Sequence, residues 1–483
     1  MKAIQKPLWP KVPTAFVQQY LTGHKILGLA MAGLLYLICL SGTVTVFYLD
    51  LQRWETPNLP DVTSVSPAAL QRAADDARHR LTAQDSGIYI YAPTRDNPRL
   101  NVTHGSAIRA YDDQGVYAGD GDHKLTNALT EMHYYLHLPS SIGLIVVGLA
   151  GLILLALILG GLLSHPRILK DAFTWRRHAQ PRLERADLHN RIGVWAAPFH
   201  IVMALTGALI GLSSLILMAN AAVFHKGDTA AASAPIYGPP PALHHDGALA
   251  KDAIVTAYAE LAARHPDATP SYIGLENLGS DHESLTITAD IKDRLIYGES
   301  FTFDRNGHLT GHLGLQDGAA GKQIYASLYK LHFGSFGGVW VRWAYLLLGA
   351  GLCLICTTGM DIWLMKSAQK GKPCPRLHKA WTGFVWGAPL AMTVSACAWF
   401  GLSLPFVPVF WSLTTALSLL GLLARSPAQV SAIGRQALGV ALIAMLAIHA
   451  VRFGAAAVST AGLWPGIAFL AVASVCLLPT KRA

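Results

Sequence analysis

The stretch that decides the fold is DLHNRIGVWAAPFHIVMALTG, residues 187–207, an apolar segment that begins beside His189 and contains His200. The two histidines are eleven residues apart. In one continuous helix that spacing returns to nearly the same face, about 16 Å further along the axis. An ionisable side chain within a membrane span is costly and indicates a functional site. The alternative is that both histidines only cap or pack a helix.

The composition predicts a membrane protein with several spans. Of the 483 residues, 52% are hydrophobic and only 14% are charged, whereas soluble proteins have about 25% charged residues. Several apolar runs reach the roughly 20 residues that cross a hydrocarbon core. About eight spans are expected, near 25–48, 141–163, 192–217, 339–365, 384–404, 409–424, 436–452 and 463–479.

Basic residues predict the orientation of these spans. Lysine and arginine concentrate in the N-terminal tail and in the loops that follow the second and fourth spans, and such loops face the cytoplasm. The long loops at about 50–138 and 218–331 are richer in acidic residues and are expected to face outward. The net charge of +9 therefore reflects orientation and gives no argument for nucleic-acid binding.

Each outward loop predicts a small α+β module. Residues 66–84 and 247–264 are expected to form helices, with Ser66 as the N-cap of the first. Short alternating runs separated by Gly, Asp and Asn follow each helix and indicate antiparallel strands. Tyr89, Tyr91, Tyr237, Tyr272 and the His244–His245 pair in these loops are interpreted as ordinary surface or packing residues.

The first 365 residues contain two copies of a span–module–span unit. Glycine follows His24 and His189 by four residues, and a small residue with a glycine follows both by seventeen and eighteen residues. His133 and His332 hold matching places before the second and fourth spans. The resulting regions are the tail and first span (1–49), module 1 (50–138), spans 2–3 with a basic loop at 164–191 (139–217), module 2 (218–331), span 4 with its loop (332–383) and the C-terminal spans (384–483).

Histidines on membrane helices commonly ligate haem, relay protons or bind metal ions. A bis-histidine haem needs one neutral imidazole from each of two helices at similar depth, which the two copies could supply. His133 and His137, four residues apart, are expected on one helical face. Room for a flat macrocycle is expected beside glycines of the second and fourth spans, namely Gly143, Gly148, Gly151, Gly349 and Gly351.

Other chemistries have less support in the sequence. HExxH, Walker A and a dinucleotide-binding GxGxxG context are absent. Asp361 is the one acid found within a span, which argues against a proton-coupled transporter. The cytoplasmic loops are too short for a flavin or nicotinamide domain, so an electron donor must be another protein or a membrane quinol.

Three stretches, 128–152, 164–207 and 331–363, resemble the PepSY-associated transmembrane helix family. The resemblance covers about residues 20–400 and implies PepSY-like periplasmic modules in a bacterial inner-membrane protein. Some family members resemble ferric-siderophore reductases that hold two b-type haems. The histidines that match the family's recurrent positions are His24, His133, His189 and His332, and those that match a longer subgroup are His137, His200 and His378.

The resemblance implies a function and partners. The expected protein is a mainly α polytopic bundle with two periplasmic modules and a cytoplasmic N-terminus. It would take electrons from a cytoplasmic flavoprotein or a quinol and reduce a periplasmic ferric siderophore or other ferric chelate. The expected outer haem uses His332 with His133 or His137, and the inner haem uses two of His24, His189, His200 and His378. A siderophore permease or binding protein without redox activity is the alternative.

Overall fold

The computed structural model describes residues 13–80, 87–164, 168, 173, 180–237, 247–280 and 282–479. The lysines of the N-terminal tail before residue 13, the predicted end of the first module's helix at 81–84, most of the basic loop before residue 180 and the His244–His245 pair lie outside these residues.

The helical part agrees with the predicted bundle of about eight spans. Seven of the described helices are long and apolar enough to cross a membrane, and the count is eight if the bent pair of α6 and α7 forms one span. The helices in chain order are α1 (Thr14–Thr45), α2 (Tyr48–Glu55), α3 (Pro67–Arg78), α4 (Lys124–Tyr135), α5 (Ser140–Leu163), α6 (Pro181–Trp195), α7 (Ala197–Gly211), α8 (Ser213–Phe224), α9 (Thr229–Tyr237), α10 (Ala253–Arg264), α11 (Ala320–Phe333), α12 (Gly338–Gln369), α13 (Pro375–Leu402), α14 (Phe406–Leu420), α15 (Pro427–Phe453) and α16 (Thr460–Leu477).

The segment quoted first is not one straight helix. Helices α6 and α7 meet at Ala196 with a bend of 70°. Pro198 lies in the first turn of α7, where its missing N–H and fixed φ suit a new helix start but oppose continuation of α6. The prediction that His189 and His200 share one face of a continuous helix is therefore wrong.

The two outward loops build one sheet. The strands are β1 (Gly87–Tyr91), β2 (Leu100–His104), β3 (Ala107–Tyr111), β4 (Tyr117–Asp120), β5 (Ala268–Glu276), β6 (Ser284–Ile291), β7 (Glu299–Phe303) and β8 (Leu309–His312). They form an antiparallel sheet in the order β4-β3-β2-β1-β5-β6-β7-β8. Each loop contributes a helix followed by antiparallel strands, as expected, with four strands in each loop. Pairing of β1 with β5 joins the two modules edge to edge.

Helices α3 and α10 cover one face of this sheet. Ser66 caps α3 by accepting a hydrogen bond from the Ala69 N–H at 3.1 Å, as predicted. Helix α10 begins at Ala253, six residues later than expected. Alternate strand residues such as Ile90 and Ile273 are buried beneath the two helices, which follows from the two-residue period of a strand. The opposite face carries hydroxyl-bearing and aromatic side chains.

The sheet lies at the end of the bundle where α1 and α7 end. We call this end the sheet end and the other end the opposite end. Arg342, near the start of α12, joins sheet and bundle. Its guanidinium donates to Asp50 of α2 at 2.6 Å and to Asp96 of the β1–β2 loop at 3.5 Å. The C-terminal helices pack against the repeat unit, where the His449 ring stacks on Trp54 at 4.2 Å.

Candidate functional site

Two histidines meet at the sheet end of the bundle. His133 of α4 and His332 of α11 have ring centroids 6.0 Å apart, with 24° between the ring planes. Both rings line an apolar cavity between α1, α5, α7 and α12. We call these residues the sheet-end pair. They occupy corresponding positions in the two copies of the repeat, which is the relationship that the sequence predicts.

Hydrogen bonds hold the Nδ1 atom of each ring. Nδ1 of His133 donates to the Ile38 carbonyl at 3.0 Å, and Nδ1 of His332 lies 2.9 Å from Thr206 Oγ1. The Thr206 hydroxyl donates its own proton to the Val202 carbonyl at 2.6 Å, so it accepts from His332. Neither Nε2 makes a hydrogen bond within the described part of the chain. Burial lowers the pKa of both imidazoles, so both are neutral at pH 7.

A glycine makes space for each ring. A methyl group on Gly42 of α1 would lie 2.6 Å from Cε1 of His133, and one on Gly207 of α7 would lie 3.0 Å from Cε1 of His332. Carbon atoms in good contact are about 3.5–4.0 Å apart. These glycines are the second residues of the repeated Ser41–Gly42 and Thr206–Gly207 pairs, so the internal repeat encodes this close approach.

A looser form of this arrangement occurs at the opposite end. His24 of α1 lies beside Gly161 of α5, and His189 of α6 lies beside Gly359 of α12. A methyl group on either glycine would be 3.4 Å from Cε1 of the neighbouring histidine. The two imidazoles are close enough to interact electrostatically. We call His24 and His189 the opposite-end pair.

A threonine also orients the ring of His189. Its Nδ1 lies 3.1 Å from Thr358 Oγ1, and the Thr358 hydroxyl donates to the Leu354 carbonyl at 2.6 Å. Thr358 therefore accepts from His189 as Thr206 accepts from His332. Along α1, His24 and Gly42 are eighteen residues apart, so the two levels are separated by roughly 27 Å.

The other three predicted histidines lie in different surroundings. His137 follows the end of α4 with a positive φ of 58°, so it does not share a helical face with His133, and that prediction is wrong. Both its ring nitrogens are engaged, Nε2 with the Ala128 carbonyl at 2.7 Å and Nδ1 as acceptor from Trp411 Nε1 at 3.0 Å. No nitrogen of His137 is left for a ligand.

In the described part of the chain, His200 and His378 form no hydrogen bond with a histidine of either pair. His200 is fully buried, and neither of its ring nitrogens makes a well-formed hydrogen bond within the described residues. Its neighbour Phe199 lines the sheet-end cavity. His378, at the start of α13, lies 3.9 Å from Asp361, which also lies 3.9 Å from Arg185.

The glycines expected to leave room for a macrocycle divide into two groups. Gly151 and Gly349 line the sheet-end cavity. Gly143, Gly148 and Gly351 do not line it. A Cβ on any of the five glycines would contact a neighbouring side chain or backbone atom, so all five serve close packing. Gly42 and Gly207 are the glycines that contact the sheet-end pair. The sequence contained this signal in its repeated small-residue–glycine pairs.

A group of possible metal ligands also occurs in the sheet domain. Glu299, His312 and Asp317 lie close together. Both Glu299 carboxylate oxygens already accept backbone hydrogen bonds, from Gly314 at 2.7 Å and Gln316 at 2.8 Å. The buried carboxylate therefore organises the loop after β8.

Comparison with known proteins supports the architecture. The chain is 30% identical over 238 residues to the uncharacterized protein PA4219 of Pseudomonas aeruginosa, a match that covers 47% of this chain and 60% of that protein. The sequence model of the family described as the PepSY-associated TM region matches residues 21–366. This range includes both histidine pairs and the sheet. The chain therefore belongs to the PepSY-associated TM region family.

Proposed function

We propose that this protein is a di-haem membrane reductase that delivers electrons to a ferric siderophore or other ferric chelate at the sheet end. The observation that carries the proposal is the arrangement of four histidines as two pairs at two levels. Each pair takes one imidazole from each copy of the repeat, and each imidazole lies beside a glycine. Helix capping alone does not require such pairing.

The residues at the sheet end fit a bis-imidazole haem in chemistry. His133 and His332 are neutral donors with Nδ1 held by hydrogen bonds and Nε2 left for ligation. A partner on the second nitrogen is typical of metal-ligating histidine, because it fixes the tautomer and the ring orientation. The cavity volume is about 160 Å³, which holds part of a macrocycle, so neighbouring side chains would move to admit the rest.

The opposite-end pair would hold a second haem through His24 and His189. Bound haem supplies reversible one-electron exchange between Fe(III) and Fe(II), at a potential that depends on its ligands and surroundings. The chain's residues provide binding and environment. Thr206 and Thr358 would orient one ligand at each level, and the apolar helix surfaces would exclude water.

The overall reaction would transfer one electron to each Fe(III) of the chelate, and no covalent bond to the protein would form or break. A quinol, which releases two protons as it gives up two electrons, or a two-electron cytoplasmic flavoprotein would serve two turnovers. Hard oxygen ligands suit Fe(III) better than Fe(II), so reduction would weaken chelation and release iron. The family resemblance implies the bacterial inner membrane, and the distribution of basic residues supports an orientation with the sheet in the periplasm.

A transfer experiment tests this function. Detergent-purified protein, reduced with limiting dithionite, is mixed with a ferric chelate while a chromophoric Fe(II) chelator traps the product. The proposal expects stoichiometric Fe(II) formation together with reoxidation of the haem bands, and loss of this reaction in His133→Ala and His332→Ala. His137→Ala is the matched control, since both nitrogens of that ring are already hydrogen-bonded. A protein that binds chelate without haem would favour the permease alternative.

A further inference from the structure

The face of the sheet away from α3 and α10 carries a cluster of tyrosines at the junction of the two modules. Tyr91 of β1 and Tyr272 of β5 are directly paired across this junction. Their ring centroids are 5.1 Å apart, and Tyr89 stacks on Tyr272 at 5.8 Å with 13° between the planes. Tyr91 is 44% exposed. Tyrosines with only an ordinary surface or packing role would not need to place their three rings in contact at one position.

A cavity of about 410 Å³ lies beside these tyrosines. We call it the junction cavity. Its volume is within the roughly 300–1,000 Å³ range of small-molecule sites. The side chains around it offer rings, hydroxyls and an amide, and none is charged; they include Tyr91, Thr94, Asn97, Ser271, Tyr272 and Tyr297.

Ring contacts connect the junction cavity to the sheet-end pair. Tyr297, in its wall, contacts Tyr329 of α11 with ring centroids 6.0 Å apart. Tyr329 stacks on Phe333 at 6.4 Å, and Phe333 contacts His332 at 6.0 Å. The Tyr297 N–H also donates to the Ala326 carbonyl at 2.9 Å, which fixes the cavity wall to the helix that carries His332.

We propose that the junction cavity binds a neutral ferric chelate that carries at least one aromatic ring. This proposal rests on the function proposed above and names the binding site and the chemical class of its substrate. A chelator ring would stack on Tyr272 and Tyr91, and the surrounding hydroxyls and amide would donate to the oxygen atoms of the chelate. A charged chelate is disfavoured, because an ion among uncharged groups would be desolvated without a partner. Three monoanionic bidentate ligands neutralise Fe(III) and provide such a complex.

A calorimetric titration of the full chain in detergent tests the site without electron transfer. The probe is gallium tris(maltolate), a neutral ring-bearing complex whose Ga(III) resembles Fe(III) in size and charge but is not reduced. Gallium tris(acetohydroxamate), neutral and without rings, is the matched probe. The proposal expects saturable binding of the maltolate complex and at least tenfold weaker binding of the hydroxamate complex.

Variants locate the site. Tyr272→Ser should weaken maltolate binding by about tenfold, because it removes the ring on which the chelator would stack. Tyr272→Phe keeps the ring and should stay within about threefold of the wild type. Tyr117→Ser is the control, since Tyr117 is an exposed tyrosine on the edge strand β4, remote from the cavity in strand order. Thermal unfolding confirms that each variant is folded.

The outcomes separate this proposal from the reductase function. Unchanged binding in Tyr272→Ser, or equal affinity for the two gallium complexes, overturns the junction cavity as the chelate site even if the protein contains haem. A colourless protein that binds gallium tris(maltolate) with the expected Tyr272 dependence supports the site and overturns the reductase function. Absence of binding in a haem-containing preparation overturns the proposed site alone.

Discussion

Replacement of Gly42 by alanine tests the histidine–glycine arrangement most specifically. The new methyl group would lie 2.6 Å from Cε1 and 2.9 Å from Nδ1 of His133. Ordinary carbon contacts begin near 3.5 Å, so the ring or the helix must move by about 1 Å. Overpacking of this kind costs about 1–3 kcal/mol. If His133 ligates haem, that cost corresponds to a roughly 5- to 150-fold loss of affinity at the sheet end.

The other three glycines that lie beside a histidine of either pair provide a graded series of contact distances. A methyl group on Gly207 would be 3.0 Å from His332, and one on Gly161 or Gly359 would be 3.4 Å from its histidine. The loss of haem should therefore be largest for Gly42→Ala, smaller for Gly207→Ala and smallest for Gly161→Ala and Gly359→Ala. Gly28→Ala is the control on the same helix as Gly42, because a methyl group there meets nothing within 4 Å.

The assay is the haem-to-protein ratio, measured by the pyridine haemochrome method together with the reduced-minus-oxidised spectrum. Gly42→Ala should lose up to one haem per chain, and Gly28→Ala should retain the wild-type ratio. Full haem content in Gly42→Ala, or equal losses in Gly42→Ala and Gly28→Ala, would refute the inferred packing of His133 on α1.

Three further predictions follow from the described contacts. Thr206→Val removes the acceptor for a histidine N–H and should lower sheet-end haem affinity by roughly 10- to 100-fold, measured by haem transfer to apomyoglobin; unchanged transfer would contradict this role. Arg342→Gln breaks the largely buried pair with Asp50 and should lower the free energy of unfolding by about 3 kcal/mol. Lys124→Gln, in an exposed pair, should lower it by less than about 1 kcal/mol. Equal shifts of the two variants in thermal unfolding would contradict this difference. Burial, then the charge of a nearby arginine, lowers the pKa of His123 to about 4. With about 6.5 in the unfolded chain, the folded state should lose about 2 kcal/mol as the pH falls from 7 to 5, a loss that His123→Asn should remove in thermal unfolding; an identical pH dependence in the variant would contradict it.

The sequence predicted much of the fold because each signal was local. Long apolar runs identified the spans, and alternating residues after the predicted helix at 66–84 identified strands. Edge pairing of β1 with β5 was not predictable in the same way, because it depends on residues such as Tyr91 and Tyr272 that are far apart in the chain. The 70° bend at Ala196 had a local signal in Pro198, but the apolar periodicity continued through it and indicated a single helix.

The sequence identified the histidines of the candidate site but not which of them lie together. The internal repeat identified His24, His133, His189 and His332, but depth alone left several pairings open. Three-dimensional contacts distinguish the histidines. His137 is engaged by Trp411, a residue 274 positions away in the chain, and no sequence pattern marks that contact.

The haem b content of purified wild-type protein tests the central claim most directly. The protein would be expressed with added haem precursor, purified in detergent and measured for haem per chain, with spectra before and after dithionite. The proposed structure of the site predicts two low-spin haems b per chain, with a Soret band that shifts and sharpens on reduction and resolved α and β bands. A folded, monodisperse and colourless protein would contradict the reductase function.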